Sequence, residues 1–193
     1  DAAVEGLTVR AAEAPDLPPL FRADAVYARP QIGRIAKGFL DFRELRLTAP
    51  KIHYYVGADG KSNVPGGGEG GGKIPDYWIA QADIRGGAFQ YEDVPRQINL
   101  ALPQWNLSLA GEKLTRAHTL NFASLQASSF SYENFRLPID RIVLRGKLKR
   151  ADLELESAQV SAMQAQLSLQ GAIENFGSPV FNLRLNPTLD LSA

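Results

Sequence analysis

Three sets of residues in this chain have types and spacings that could do chemistry. The first is glycine-rich: Gly67 to Lys73 satisfies G-x-x-x-x-G-K, and Gly66, Gly68 and Gly71 satisfy G-x-G-x-x-G. A phosphate cradle needs its amides fixed at a helix N-terminus and a Ser/Thr hydroxyl for magnesium. Ile74 stands in the hydroxyl position and Pro75 follows where the helix should begin, so both matches reduce to low complexity. The second set is His53 and His118, the only histidines, which lack H-x-H or H-x-x-x-H spacing. Zinc sites take three or four such ligands, so both read as surface or groove-rim residues on wet strand faces. The third is Glu92-Asp93, whose side chains would point to opposite faces of a strand and which read as a turn. No carboxylate cluster suits a carbohydrate-active β-helix enzyme, which needs separations of about 5 to 9.5 Å on one face. No catalytic, cofactor or metal residue is expected.

Charge points the same way. Lys plus Arg and Asp plus Glu both total 21, giving zero formal charge, without the basic footprint of a nucleic-acid binder. The basic face Arg141, Arg145, Lys147, Lys149 and Arg150 stands opposite Asp152, Glu154 and Glu156 of the following strand, so cross-strand pairing accounts for it. Contact with anionic lipid headgroups is the functional alternative. The absence of cysteine excludes disulfides and thiolate metal sites and suits an oxidising compartment. No apolar run approaches the roughly 20 residues of a membrane-spanning helix.

The elements that must position these residues are strands. Period-two alternation dominates, beginning at Leu7 and Val9. A second strand, Leu20 to Ala28, alternates untidily. Pro30 to Gly38 reads as a short helix, with proline near its start and glycine past its end. Leu45 and Leu47 share a face; after Pro50, Ile52, Tyr54 and Val56 point one way and Lys51, His53 and Tyr55 the other. Pro50 suits a strand start or an edge, and Asp59-Gly60 a tight turn. Eight of the 17 glycines lie between Gly57 and Gly72. Residues 57–75 therefore read as a flexible hairpin loop whose flanking strands pair. Strands of about ten residues follow from Tyr77 to Leu191, longer than usual. Gly111, Gly146 and Gly171 close the runs LSLAG, IVLRG and LSLQG and read as a recurring strand–turn device.

Each later strand has one aliphatic and one wet face. Ile142, Leu144 and Leu148 oppose Arg141, Arg145, Lys147 and Lys149. Leu153 and Leu155 oppose Asp152, Glu154 and Glu156. Leu167, Leu169 and Ile173 oppose Ser168 and Gln170, and Leu183 and Leu185 oppose Asn182 and Arg184. These ten aliphatic residues are the candidate lining of a groove, or equally of a closed sandwich core. The expected fold is all-β: one domain over 1–193, a long curved antiparallel sheet with a short N-terminal helix.

Several segments resemble the AsmA/TamB-like proteins of the Gram-negative envelope. Leu45-Arg46-Leu47-Thr48-Ala49-Pro50-Lys51-Ile52 resembles the family's l-x-l-x-x-P-x-i, and Asp59-Gly60-Lys61-Ser62-Asn63 its D-G-x-x-N. Gly87-Ala88-Phe89-Gln90-Tyr91-Glu92-Asp93 is similar to its G-x-(aromatic)-x-Y-x-D strand. Gly171-Ala172-Ile173-Glu174-Asn175-Phe176, with Ser178-Pro179, resembles its closing strand. The resemblance implies a twisted half-pipe with an apolar interior. It implies a fragment of a longer periplasmic protein, held at the inner membrane by an upstream anchor. It implies a non-catalytic role in outer-membrane biogenesis, chiefly phospholipid transport between membranes, with acyl chains as the ligand. The alternative is a scaffold that captures outer-membrane or secreted proteins at its sheet edges.

Overall fold

The computed structural model describes every residue except 13, 36–38, 65–76, 150, 177 and 190–193. The described chain is almost entirely strand, as alternation requires. β1 (Ala2–Val9) and β2 (Phe21–Pro30) lead into a single helical turn, α1 (Ile32–Ile35). That turn is shorter than the Pro30–Gly38 helix expected, whose last residues lie outside the described set. β3 (Leu40–Thr48), β4 (Lys51–Val56), β5 (Tyr77–Ile79), β6 (Gln81–Asp93) and β7 (Ile98–Glu112) follow. Then come β8 (Ala117–Ser124), β9 (Ser128–Tyr132), β10 (Phe135–Ile139), β11 (Arg141–Leu148), β12 (Leu153–Ala162), β13 (Ala165–Glu174) and β14 (Val180–Leu189).

All 14 strands belong to one sheet. Several of them are halves of longer strands. β3 and β4 run in one direction between β2 on one side and β6 on the other. β7 pairs with β8 through Trp105–Glu112 and with β9 through Ile98–Ala101. From β6 onward the pairing is antiparallel, as expected for a meander.

The sheet is nevertheless mixed. β3 pairs in parallel with β5 and β6, and β4 in parallel with β6. The strands flanking the glycine-rich segment do not pair with each other as expected: β4 pairs with β6 and β5 with β3, both in parallel, so the segment is not a hairpin loop. β4 ends at Val56, whereas β5 begins beside Leu40, so the connection must return along about 50 Å of strand. Parallel neighbours always require such a crossover. Most of the 57–75 loop lies outside the described residues. Its first part turns at Gly60 (φ 78°) and comes back beside β4, where Ser62 bridges Val56.

A line of irregularities crosses the sheet. Ala49 (φ 47°) and Pro50 separate β3 from β4, and Gly86 (φ 63°) interrupts β6 alongside. The Ala49 N–H donates to Arg85 O at 2.8 Å, and the Ala88 N–H to Pro50 O at 2.7 Å. Pro50 starts a strand, as expected, yet is fully buried between neighbours rather than at an edge. Further along, the Gly86 N–H finds Asn106 Oδ1 at 2.9 Å, and the Ile142 N–H finds Ser124 Oγ at 2.8 Å. Side chains thus satisfy amides that the interrupted ladder leaves without a carbonyl, and bulges of this kind bend strands.

Gly111, Gly146 and Gly171 correct the strand–turn reading. All three lie inside strands, in β7, β11 and β13, at points where neighbouring atoms approach too closely for a side chain.

Candidate functional site

The pairing register sorts the side chains into two faces. One row crosses ten strands as Val4, Val26, Leu47, Ile84, Leu107, Phe122, Leu144, Ala158, Leu169 and Leu185. Every member is apolar. The row beside it points to the opposite face and reads Ala3, Tyr27, Arg46, Asp83, Ser108, Asn121 and Arg145. The sheet is amphipathic from edge to edge.

All ten candidate lining residues fall on the apolar face. Leu148, Leu153 and Ile173 form one row, Leu144, Leu169 and Leu185 another, Ile142 and Leu167 a third, and Leu155 and Leu183 a fourth. The bulge in β12 between Leu155 and Ala158 restores this alignment after it would otherwise slip.

No second layer of described residues covers that face. The apolar side chains that reach full burial are mostly alanines, joined by Trp105, Ile139 and Leu155. Most of the ten candidates are half-buried, and Leu185 remains 55% exposed. The chain presents 12717 Å² of accessible surface at 21.0 kDa, against about 9,000 Å² for a compact fold of that mass.

Polar groups punctuate the apolar face at its ends. Asp93 closes β6, buried, accepting the Tyr91 hydroxyl at 3.2 Å, the Arg96 N–H at 3.0 Å and the Arg96 guanidinium at 2.7 Å. Burial pushes this carboxyl upward, but the Arg96 guanidinium and amide with Tyr91 outweigh it and hold Asp93 below the usual carboxylate range. Glu92 and Asp93 are thus the last strand residues, with the turn beginning after them; Glu92 instead meets His53 at 3.5 Å. At the other end Asp41 is buried and takes Gln31 Nε2 at 3.1 Å and the Arg34 guanidinium at 2.8 Å. The expected cross-strand charge pairing is present as Lys147–Glu156 at 3.6 Å and Lys149–Glu154 at 3.7 Å.

His118 departs from the surface reading. It is buried on the apolar face, beneath Trp78 at a ring separation of 4.8 Å, and its Nε2 accepts the Ile79 N–H at 3.4 Å. Burial lowers its pKa, opposed by the backbone of Ile79 and Leu148. The unfolded chain therefore binds a proton near pH 6.5 before the folded chain does. Stability is fully present above that pH and falls as the pH drops toward the lowered folded value. Urea midpoints from neutral to mildly acidic pH should show this decline. His118→Gln should flatten it; an unchanged pH dependence in that variant would remove His118 as its source.

Sequence reasoning placed the aliphatic face but not its buried polar punctuation. The signal available was the position of Asp41 and Asp93 near strand ends and of Asn63 just past the Asp59-Gly60 turn, where backbone or side-chain donors otherwise lack partners. Trp105 was likewise silent: its ring lies across Gly87, where a Cβ would come within 2.5 Å of it.

Among the described residues no group of three or more His, Asp or Glu could hold a metal ion. None of the described helices is long and apolar enough to cross a membrane. An open depression of about 620 Å³ over β12–β14 is bordered by Lys149, Glu154, Glu174 and Asn182, without a nucleophile–base pair. Comparison with protein families, curated proteins and solved structures finds no match.

Proposed function

We propose that this chain carries lipid on the apolar face of its sheet, without catalysing a reaction. The observation that supports it is the unbroken apolar row across ten strands, left uncovered by any described layer. A curved amphipathic sheet with that face inward is a half-pipe, and the irregularities from Ala49–Pro50 to Gly86 supply places to bend. An acyl chain laid on such a face leaves water at about 0.8 kcal/mol per CH₂, while its headgroup stays at the open rim. This is the phospholipid-transport role that the AsmA/TamB-like resemblance implies, in the periplasm and in service of the outer membrane.

The test is the lipid content of protein purified from bacterial cells. Native mass spectrometry should show bound phospholipid on the wild-type chain. Leu169→Asp, which puts a charge in the middle of the apolar row, should lose most of it; Ser168→Asp, on the opposite face, should keep it. Circular dichroism establishes that both variants fold. Lipid-free wild-type protein, or equal lipid on both variants, would sink the proposal.

One observation favours a scaffold role: among the strands paired on one side only, β1 and β14 are the longest, and β1 is exposed along its whole length. A client strand could add there. Pro187 in β14 lacks an N–H and weakens that edge as a template, which leaves β1 as the site to test by crosslinking. Lipid-free protein that crosslinks to client strands through β1 would replace the carrier reading with this one.

A further inference from the structure

The two ends of the sheet differ in what their connections expose. At one end lie α1, the β7–β8 turn, the β11–β12 turn and the β13–β14 turn, as the register requires. Leu114, at the tip of the β7–β8 turn, is 96% exposed, and Ile32 in α1 is 76% exposed. Phe176 of the β13–β14 turn is also exposed. Exposed apolar side chains on turns need no explanation by themselves; what sets this end apart is an apolar tip joined to unpaired positive charge.

The positive charge lies around Leu114. Lys113 and Arg116 flank the leucine, both exposed, and neither forms an ion pair among the described residues. The nearby carboxylate of Glu112 is turned back to accept the Thr115 hydroxyl at 2.9 Å. The tip is an aliphatic side chain between two unpaired cations. The opposite end also exposes apolar tips, Met163 at 66%, Phe135 at 56% and Tyr132, but the turn at Met163 carries no charge and the Tyr132–Phe135 turn carries only the carboxylate of Glu133.

We infer that the α1 end of the sheet docks on the surface of an anionic lipid bilayer, with Leu114 among the acyl chains and Lys113 and Arg116 at the headgroup phosphates. Aliphatic insertion and cation attraction are the two contributions that hold peripheral proteins at such surfaces. A water-soluble partner protein would need a shaped, larger patch than a hairpin tip offers. The apolar face runs out to this same end through Leu148, Leu153 and Ile173, so docking would set its mouth against the bilayer. The inference extends the lipid-carrier reading by naming where lipid enters, and it rests on the connections rather than on the face.

The experiment is co-sedimentation of the full chain with vesicles of mixed phosphatidylcholine and phosphatidylglycerol, against phosphatidylcholine alone. Wild type should bind the anionic vesicles and release as salt rises. Leu114→Ser should lower partitioning about tenfold, and Lys113→Gln or Arg116→Gln about fivefold each. Met163→Ser should bind like wild type. No binding by wild type, undiminished binding by Leu114→Ser, or an equal loss in Met163→Ser would overturn the inference. Lipid co-purification separates the two proposals. Protein that carries lipid but ignores vesicles refutes docking alone, whereas docking through Leu114 by lipid-free protein refutes carriage alone.

Discussion

A Gly171→Val chain is expected to lose about 3 kcal/mol or more of stability, and with it most or all of its cooperative fold. Gly171 sits inside β13 at φ 138°, in the region that only glycine adopts without strain. A Cβ built there overlaps the Asn182 carbonyl oxygen of β14. That oxygen is backbone, so the overlap is relieved only by moving β14 away from β13 across a pairing that runs from Glu174–Val180 to Ala165–Leu189. Conformational strain alone costs about 1 to 3 kcal/mol, and the clash adds to it. Typical domains hold only about 5 to 15 kcal/mol in total. Gly33→Ala is the control, because nothing lies within 4 Å of a Cβ at that position. Urea unfolding followed by circular dichroism reads the difference. Equal midpoints for the two variants would contradict the close approach of β13 and β14.

Asn63→Ala is expected to cost about 3 kcal/mol, from a residue that looks at first like part of a loop. Its side chain is 1% exposed and makes three bonds to backbone. Oδ1 accepts the Tyr55 N–H at 2.9 Å; Nδ2 donates to His53 O at 2.6 Å and to Pro18 O at 3.0 Å. β2 reaches β4 only at Phe21–Ile52 and Arg22–Lys51, so beyond those residues β4 has lost its neighbour on that side. Asn63 substitutes for the missing strand. Alanine would leave a buried donor and two acceptors without partners, each at about 1 to 3 kcal/mol before water relieves some of them. The Asp59-Gly60 turn exists to deliver it: Asp59 Oδ1 accepts the Lys61 N–H at 3.1 Å and Gly60 takes positive φ. The Asp59 carboxyl is held below its usual pKa chiefly by that Lys61 amide. Amide exchange at Tyr55 should accelerate in Asn63→Ala, while Ser62→Ala should leave it slow. Persistent protection of Tyr55 in Asn63→Ala would show that the clamp is dispensable.

Those two positions mark the boundary between what alternation reveals and what it hides. The amphipathic strands from Ile142 to Leu185 were legible because the side-chain period of a strand is a local property, fixed by backbone geometry within a few residues. The ten aliphatic residues so identified all reach the same face. Alternation misled wherever an extra residue shifts the register. Leu20 to Ala28 looked untidy because the parity of β2 changes at Asp24, which has no partner in β1 or β3. Gly111, Gly146 and Gly171 looked like turns because glycine is as common at turns as at close strand contacts, and only the neighbouring strand distinguishes them.

The direction of pairing was beyond sequence for a different reason. β4 and β6 alternate in the same way whether they run parallel or antiparallel, so the crossover from Val56 to Tyr77 reads locally like a hairpin loop. Buried polar groups were hidden because their partners are distant in sequence: Asn63 meets Pro18 across 45 residues, and His118 meets Ile79 across 39. The sequence by itself determined an all-β chain with one aliphatic and one polar face, because those follow from residue order within each strand. Tertiary structure alone decided that the strands form a single mixed sheet, where its register breaks, which polar side chains it buries and that no described residues form a second layer over its apolar face. Each of these depends on which strands become neighbours, a choice made by contacts between residues far apart in the chain.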